Sequence, residues 1–358
     1  AMPEPPRETA TAAATPAEPA KRPDSSVPEA EEQPKGPNRS MTHEQAVARV
    51  EELGGIYAGG DGWVSFFSTE LTDEDVWIVT KLSGIRGLVL SWTEVGDSAL
   101  KTISGMTDLE QLGLYDTQVT DVGLVHLRGM KQLRHLDLTG TKTTDAGLEH
   151  LRGMADLTYL SLADTGITDQ GLAIVETFTD LTELLLNFTS VTDSGMVHLK
   201  PLTRLQTLKL AKTQVTDAGL IHLAGMTDLE TLEIEQTSIT GVGFEHLTSL
   251  TRLMRLSARG SQFNDFGLEH LAQHDALEEL ILDYNTEITD DGLRSLKGLK
   301  NLRILSLGNV QVSKFGLVHL KGLKTLEELR LSHSYVDDEA LATPDLTIPL
   351  DLPALLDL

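Results

Sequence analysis

A phrase that returns every 24 residues constrains the fold of this 358-residue chain more than any other feature. The phrase opens with L-x-x-L-x-L, as at Leu109, Leu112 and Leu114, and one additional residue near Asn285–Thr286 shifts the spacing once. A fixed period of this length predicts a stack of like units, here called rungs, that share a continuous core. About twelve rungs are predicted over residues 61–343, of which the first, with Val64 and Phe66, is the least regular; the others start at Ile85, Leu109, Leu133, Leu157, Leu181, Leu205, Leu229, Leu253, Leu277, Leu302 and Leu326.

Within a rung, counted from its first apolar residue, positions 1, 4, 6, 11, 16 and 19 are apolar and are predicted to face the core. Position 9 is Thr or Ser in most rungs, and its hydroxyl is expected to bond the backbone of the neighbouring rung where the chain leaves the strand. Position 13 is Asp in most rungs, and this side chain is expected to cap a short helix and oppose its dipole. Much of the acidity of the chain is therefore attributed to the scaffold.

The run L-x-x-L-x-L-x-x-T resembles the leucine-rich-repeat family. The second half of the rung, V-T-D-x-G-L-x-H-L, is similar to the cysteine-containing subclass with Thr in place of Cys, and to bacterial proteins with serial rungs of this type. The resemblance covers about four-fifths of the chain. It implies an α/β fold, a right-handed solenoid with a parallel sheet on the concave face and short helices on the convex face, and a role in binding varied partners.

Seven histidines occupy position 18, on the convex helix. A metal-binding ladder is rejected because neighbouring convex elements stand about 8–10 Å apart, whereas zinc ligands must approach one ion to about 2.0–2.1 Å. We expect each imidazole to pack on its neighbour and to bond a backbone group of the next rung. The seven are His126, His150, His198, His222, His246, His270 and His319.

The two ends of the chain depart from the repeat. Residues 1–40 are rich in Pro, Ala and Glu and are predicted to be a disordered tether. Residues 41–60 are predicted to form a helix and the start of a hairpin that cap the first rung. Residues 344–358 contain three prolines and several leucines, which favours a cap on the last rung over a docking motif.

Composition excludes several classes of function. The net charge of −25 argues against nucleic acid and anionic lipid as partners. The absence of cysteine excludes disulfides and thiolate sites. The chain contains no run of 18 apolar residues, so no membrane-spanning segment is predicted. The tether favours an exported or cell-envelope-attached location, with a cytoplasmic one as the alternative. A monomer is expected.

Catalytic and metal motifs give no support for an enzyme. His43-Glu44 begins like H-E-x-x-H, but residue 47 is Val, and neither G-x-S-x-G nor a P-loop occurs. The acidic stretch 283–292 has calcium-like spacing but lacks the glycine that an EF-hand loop needs, so a bulged turn is preferred over a cation site. No catalysis, cofactor or metal is therefore expected.

Function should appear at positions 3, 5, 7 and 8, which belong to the inner strand and serve no core role. Chance would place about two of the 16 aromatic residues there, and seven are present. Six of them fall in the first six rungs, together with acidic residues and without Lys or Arg. The seven are Trp63, Phe67, Trp92, Tyr115, Tyr159, Phe188 and Tyr284.

This aromatic and acidic patch is predicted to bind a protein or peptide. For some rings, above all Trp63 and Phe67, burial under the N-terminal cap or a neighbouring loop is the alternative. A carbohydrate or cell-wall glycan is the alternative ligand, and an adaptor for protein degradation or an enzyme is disfavoured. The mixed charges of the last six rungs are interpreted as a solvated face. The predicted partner-binding residues are Trp92, Tyr115, Asp116, His135, Asp137, Tyr159, Asp164 and Phe188.

Overall fold

The computed structural model describes residues 40–336. The predicted tether, apart from Ser40, and the predicted tail at 344–358 lie outside the described residues, so the assignments made for them stay predictions.

One sheet of thirteen strands, ordered as in the chain, runs through the described residues. The first two strands form the predicted antiparallel hairpin, and every later pair is parallel. In the parallel pairs, each strand residue lies opposite the residue 24 positions further along the chain. The exception is the pair across the insertion, where Glu279 lies opposite Ile304. Twelve strands therefore follow the repeat. The strands are β1 (Ile56–Ala58), β2 (Trp63–Ser65), β3 (Gly87–Val89), β4 (Gln111–Gly113), β5 (His135–Asp137), β6 (Tyr159–Ser161), β7 (Glu183–Leu185), β8 (Thr207–Lys209), β9 (Thr231–Glu233), β10 (Arg255–Ser257), β11 (Glu279–Ile281), β12 (Ile304–Ser306) and β13 (Glu328–Arg330).

Short helices return the chain from one strand to the next. The N-terminal helix starts at the predicted capping box of Thr42 and Gln45. The helices are α1 (His43–Glu52), α2 (Asp97–Ile103), α3 (Asp121–Leu124), α4 (Asp145–Leu148), α5 (Asp169–Val175), α6 (Asp193–Met196), α7 (Asp217–Leu220), α8 (Asp265–Leu271) and α9 (Lys314–Leu317). Turns of 3₁₀ helix span Val76–Lys81, Val125–Leu127, Glu149–Leu151, Val197–Leu199, Ile221–Leu223, Val242–His246, Gly292–Gly298 and Val318–Gly322. This is the predicted α/β solenoid.

The core consists of the predicted columns and one that the sequence reasoning missed. In the third rung the predicted columns are all fully buried, from Leu109 on the strand side to Leu127 on the helix side. The missed column is position 22, where the side chain is buried in the third to eleventh rungs: Met130, Met154, Phe178, Leu202, Met226, Leu250, His274, Leu299 and Leu323. His274 is the polar member of this apolar column.

The prediction for the position 9 hydroxyl was wrong about its partner. The Oγ1 of Thr117 donates to the carbonyl of Leu114, three residues earlier in the same rung, at 2.8 Å, and Thr141 bonds Leu138 in the same way. The reason is a tight turn at position 8, which folds position 9 back over position 6. Ser261 is an exception, because its hydroxyl reaches the carbonyl of Ile234 in the preceding rung.

The prediction for the position 13 aspartate was also wrong about its partner. In most rungs with a helix the N-cap is Thr or Ser at position 12, as at Thr144, whose hydroxyl accepts from the N–H of Ala146; Asn264 and Gly96 take this place in α8 and α2. The carboxylate of Asp121 instead accepts from the N–H of Thr144 at 2.7 Å and from its hydroxyl at 2.6 Å, one rung further on. These bonds form a ladder along the solenoid, here called the Asp–Thr ladder, and they join rungs as the sheet does on the other side.

The ladder explains the glycine of V-T-D-x-G-L. A β-carbon on Gly147 would overlap the Oδ1 of Asp121, and the equivalent glycines of other rungs meet the equivalent aspartates. Only glycine lets the helix approach the carboxylate this closely.

Position 8 adopts the left-handed conformation in each described rung. Trp92, Phe188 and Tyr284 have φ values of 58°, 59° and 63°, and Gly140 and Gly260 occupy the same place in their rungs. For residues with a β-carbon this conformation costs roughly 1–2 kcal/mol. A large ring at position 8 is therefore held at an energetic cost by the turn that ends each strand.

Candidate binding surface

The side chains at positions 3, 5, 7 and 8 form one surface, here called the sheet face. Its N-terminal half comprises strands β2 to β7 and the turns that follow them. The predicted site residues lie on this half, but they form separate groups rather than one continuous patch.

Trp92 and Tyr115 form the first group, at the turns after β3 and β4. Their rings meet edge to face, with centroids 5.3 Å apart and planes at 74°. The backbone of Tyr115 is held in place because its N–H donates to the hydroxyl of Ser91 at 3.1 Å. Trp92 keeps 47% of its surface exposed.

His135 and Tyr159 form the second group, at the start of β5 and β6. Their rings are stacked in parallel, 3.8 Å apart and within 5°. Burial lowers the pKa of His135, against the opposing effect of Asp137 and Glu183, so the imidazole is favoured in its neutral form. Burial and the same two carboxylates raise the pKa of Tyr159 to about 12.

Asp137 is hydrogen-bonded to another residue of the sheet face itself. Its Oδ1 accepts from the N–H of Thr139 at 3.0 Å and from its hydroxyl at 2.6 Å, and that hydroxyl also lies 2.5 Å from the Oγ of Ser161. Asp137 is thus partly engaged by its own strand end, whereas Asp116 and Asp164 are exposed at position 8.

Phe188 forms a group with a residue that the sequence reasoning did not include. The Nζ of Lys212, in the next rung, lies over the phenyl ring at 4.4 Å from its centroid. Arg259 covers Tyr284 in the same way, at 4.9 Å, in the C-terminal half. Neither pairing could be read from the sequence, because it depends on the left-handed turns that bring position 8 against the neighbouring rung.

The remaining predicted rings have separate surroundings. Trp63 lies flat against the backbone of Gly87, where any β-carbon would overlap the indole. Phe67 is exposed. The burial considered for these two rings therefore applies in part to Trp63 and not to Phe67.

The two aromatic pairs lie at opposite ends of the strands. Tyr115 is at position 7 and Tyr159 at position 3, two rungs further on. The two residues are therefore separated by about 13 Å along the strand direction and by about 10 Å across the strands. Gly113 lies between them on β4. A ligand that touched both pairs would have to cross the sheet diagonally.

A shallow cavity of about 540 Å³ adjoins Trp92 at the ends of the first three rung strands. Its acidic members are Glu70, Glu94 and Asp116, and within residues 40–336 their carboxylates have no hydrogen bond or ion pair. The cavity is lined by Thr69, Glu70, Trp92, Thr93, Glu94, Asp116 and Gln118.

Three of the seven position 18 histidines, His150, His198 and His319, bond side chains rather than the backbone groups that we expected. Nδ1 of His198 lies 2.8 Å from the carboxylate of Glu176, and Nδ1 of His150 lies 2.7 Å from the guanidinium of Arg128. Glu176 and Arg128 are both at position 20 of the preceding rung, where the long side chain reaches the ring. In the part of the chain that the structure describes, no group of three or more His, Asp or Glu side chains could hold a metal ion.

The acidic stretch 283–292 belongs to the scaffold. Asn285 is buried at position 9, where its amide donates to the carbonyls of Ala258 and Leu282 and accepts from the N–H of Phe263. Asp283 and Asp290 accept bonds from the following rung. The bulged turn is the arrangement present.

Comparison with known proteins identifies the repeat. A family model described as leucine-rich repeat matches residues 154–173 and 277–297. No curated protein sequence matches the chain significantly. No helix within residues 40–336 has both the length and the apolar character needed to cross a membrane.

Solved structures from several organisms are similar in fold. An internalin of Listeria monocytogenes superimposes with a TM-score of 0.63 at 23% identity, covering 84% of this chain and 86% of that one. A Leptospira interrogans leucine-rich-repeat protein gives 0.57 at 21% identity, with 70% and 62% covered. The ectodomain of the Arabidopsis receptor kinase HAESA, solved with a peptide hormone, gives 0.57 at 18% identity, with 83% and 51% covered. The matched segments are leucine-rich repeats, and the chain has the leucine-rich-repeat solenoid fold of these structures.

Proposed function

We propose that the chain is a non-catalytic scaffold that binds a protein or peptide partner through the N-terminal half of the sheet face. One observation carries the proposal: Trp92 is a large ring in a left-handed turn, and nearly half of its surface remains in contact with solvent. The conformation costs folding energy, and the exposed ring returns little of it. Because the left-handed turn recurs in each described rung, the exposed tryptophan at this place, rather than the turn itself, is what favours contact with a ligand.

The surroundings of Trp92 support this assignment. Tyr115 packs against the indole edge to face, and the His135–Tyr159 stack offers a second aromatic surface on the same face. Rigid aromatic side chains suit protein recognition because little conformational entropy is lost on binding. A plant ectodomain with the same fold holds a peptide hormone, which is compatible with a peptide ligand here.

The test is quantitative affinity capture from native lysate and envelope extract. The bait is the wild-type chain or a triple variant carrying Trp92→Gly, Tyr115→Ala and Tyr159→Ala. The control removes three exposed rings away from this half of the sheet face, by Phe266→Ala, Phe315→Ala and Tyr335→Ala. Both variants are first checked for an unchanged melting temperature.

A partner retained by wild type and control but lost from the sheet-face variant supports the proposal. Equal capture by all three baits contradicts it. Enrichment of glycans rather than proteins by the same face would replace the protein partner with a carbohydrate.

A further inference from the structure

The sheet face contains three aromatic residues at position 8: Trp92, Phe188 and Tyr284. In two of them the chain itself supplies a cation to the ring. Lys212 comes from position 8 of the rung after Phe188, and Arg259 from position 7 of the rung before Tyr284. The left-handed turn thus brings the ring at position 8 against a side chain of the adjacent rung, and the identity of that side chain decides what covers the ring.

Among residues 40–336, no cation lies over the ring of Trp92 as Lys212 and Arg259 lie over theirs. The residue that corresponds to Lys212 is Asp116, and the residue that corresponds to Arg259 is Phe67. Of the three aromatic side chains, tryptophan attracts a cation most strongly.

The charged residues that line the cavity beside Trp92 are all acidic, and the Nζ of Lys142 approaches its rim only to bond the Oε1 of Gln118 at 2.8 Å. Glu70, Glu94 and Asp116 line the adjoining cavity, and their carboxylates are unpaired within the described residues. In the C-terminal half of the sheet face, by contrast, several charges are paired between rungs, as where Lys209 meets Glu233 at 2.8 Å and Arg255 meets Glu279 at 3.2 Å. An unpaired acidic rim around an open ring is complementary to a positive group from outside.

Resting on the proposed function, we infer that the partner inserts a basic side chain, an ammonium or a guanidinium, into the cavity beside Trp92. The group lies over the indole as Lys212 and Arg259 lie over Phe188 and Tyr284, and the three carboxylates neutralise its charge. The cavity volume of about 540 Å³ accommodates one long side chain with accompanying water.

The probe is acetylated tri-arginine amide, compared with tri-citrulline amide, which is of similar size but neutral. Binding is followed through the indole N–H signal of Trp92 in nitrogen-15 NMR, assigned by its loss in Trp92→Gly. The indole signals of Trp63 and Trp77 serve as internal references. A second chain carries Glu70→Gln, Glu94→Gln and Asp116→Asn.

The matched control loses the same charge on the convex face, through Glu149→Gln, Glu245→Gln and Glu269→Gln. We expect a saturable shift of the Trp92 signal with tri-arginine and none with tri-citrulline. The apparent affinity should fall by about five-fold or more in the cavity variant and much less in the control.

Equal weakening by the two charge variants would assign the attraction to net charge and overturn the inference. Equal shifts with tri-citrulline, or a shift confined to Trp63 or Trp77, would overturn it as well. A partner that the capture experiment loses with the ring variant but retains with the cavity variant overturns this inference and leaves the proposed function intact. A partner retained with the ring variant overturns the proposed function instead.

Discussion

The rings of Trp92 and Tyr115, in two neighbouring rungs of the solenoid, meet edge to face at a centroid distance of 5.3 Å. The contact fixes a ring whose backbone is in the left-handed conformation and whose other surface is open. The arrangement is rigid before any ligand arrives, which lowers the entropic cost of binding.

The contribution of this ring pair to stability can be measured by a double-mutant cycle. Trp92→Gly, Tyr115→Ala and the double variant are compared by urea unfolding. We expect a coupling free energy of about 0.5–1.5 kcal/mol, as for other edge-to-face pairs. A coupling indistinguishable from zero would mean that the two rings do not hold each other.

The Asp–Thr ladder predicts that Gly147→Ala is strongly destabilising in wild type but less so when Asp121 is shortened. The new methyl group overlaps the Asp121 carboxylate, and the combination of Gly147→Ala with Asp121→Ala removes that overlap. Asp121→Ala alone should cost about 1.5–3 kcal/mol, because two hydrogen bonds to a charged group are lost. Unfolding free energies of the four chains check the prediction, and strict additivity contradicts it.

His274 predicts a loss of stability in mild acid. The ring is buried beside Phe244, and burial lowers its pKa below the ordinary 6.5, so the unfolded chain binds a proton that the folded chain excludes. This contribution is complete above pH 6.5 and is lost as the pH falls towards the lowered pKa. His135 acts in the same direction.

His274→Met tests this because methionine fills the same column in other rungs. Nε2 of His274 is buried without a hydrogen-bond partner among the described residues, so the variant should gain about 1–3 kcal/mol at neutral pH. Its melting temperature should also fall less between pH 7.5 and 5.5. The reciprocal Met226→His should fall more, and an unchanged pH dependence in both would refute the assignment.

The turn at position 8 predicts a stabilising substitution away from the proposed site. Gln236 is exposed with a φ of 52°, so Gln236→Gly should raise the free energy of unfolding by up to about 1 kcal/mol. Gln236→Ala is the control, because alanine retains the β-carbon and gains nothing. Equal effects of the two substitutions in urea unfolding would show that the conformation is not strained.

The period of the repeat was sufficient to predict the sheet, the twelve rungs and most of the core. It did not reveal the left-handed turn, because position 8 contains residues as different as Ser68, Trp92 and Lys212. The partners of the position 9 hydroxyl and the position 13 carboxylate were wrong for a related reason. Which N–H or carbonyl each meets depends on that turn and on the offset between stacked rungs.

The candidate site was predicted as a set of columns, and the structure gives those columns a finer arrangement. The stack of His135 on Tyr159 and the cover of Lys212 over Phe188 depend on side-chain rotamers that no spacing encodes. The cavity beside Trp92 was missed because Glu70 and Glu94 lie at position 10, outside the columns that were considered.

The most direct test of the binding surface is site-specific photo-crosslinking in native extract. A benzophenone side chain replaces Gln111 on the N-terminal half of the sheet face, Thr231 at the same position in the C-terminal half, or Val122 on the convex face. The account predicts a discrete crosslinked adduct when residue 111 is replaced, and no adduct or a much weaker one when residue 231 or residue 122 is replaced. A partner that crosslinks from position 231 or 122 but not from 111 would contradict it.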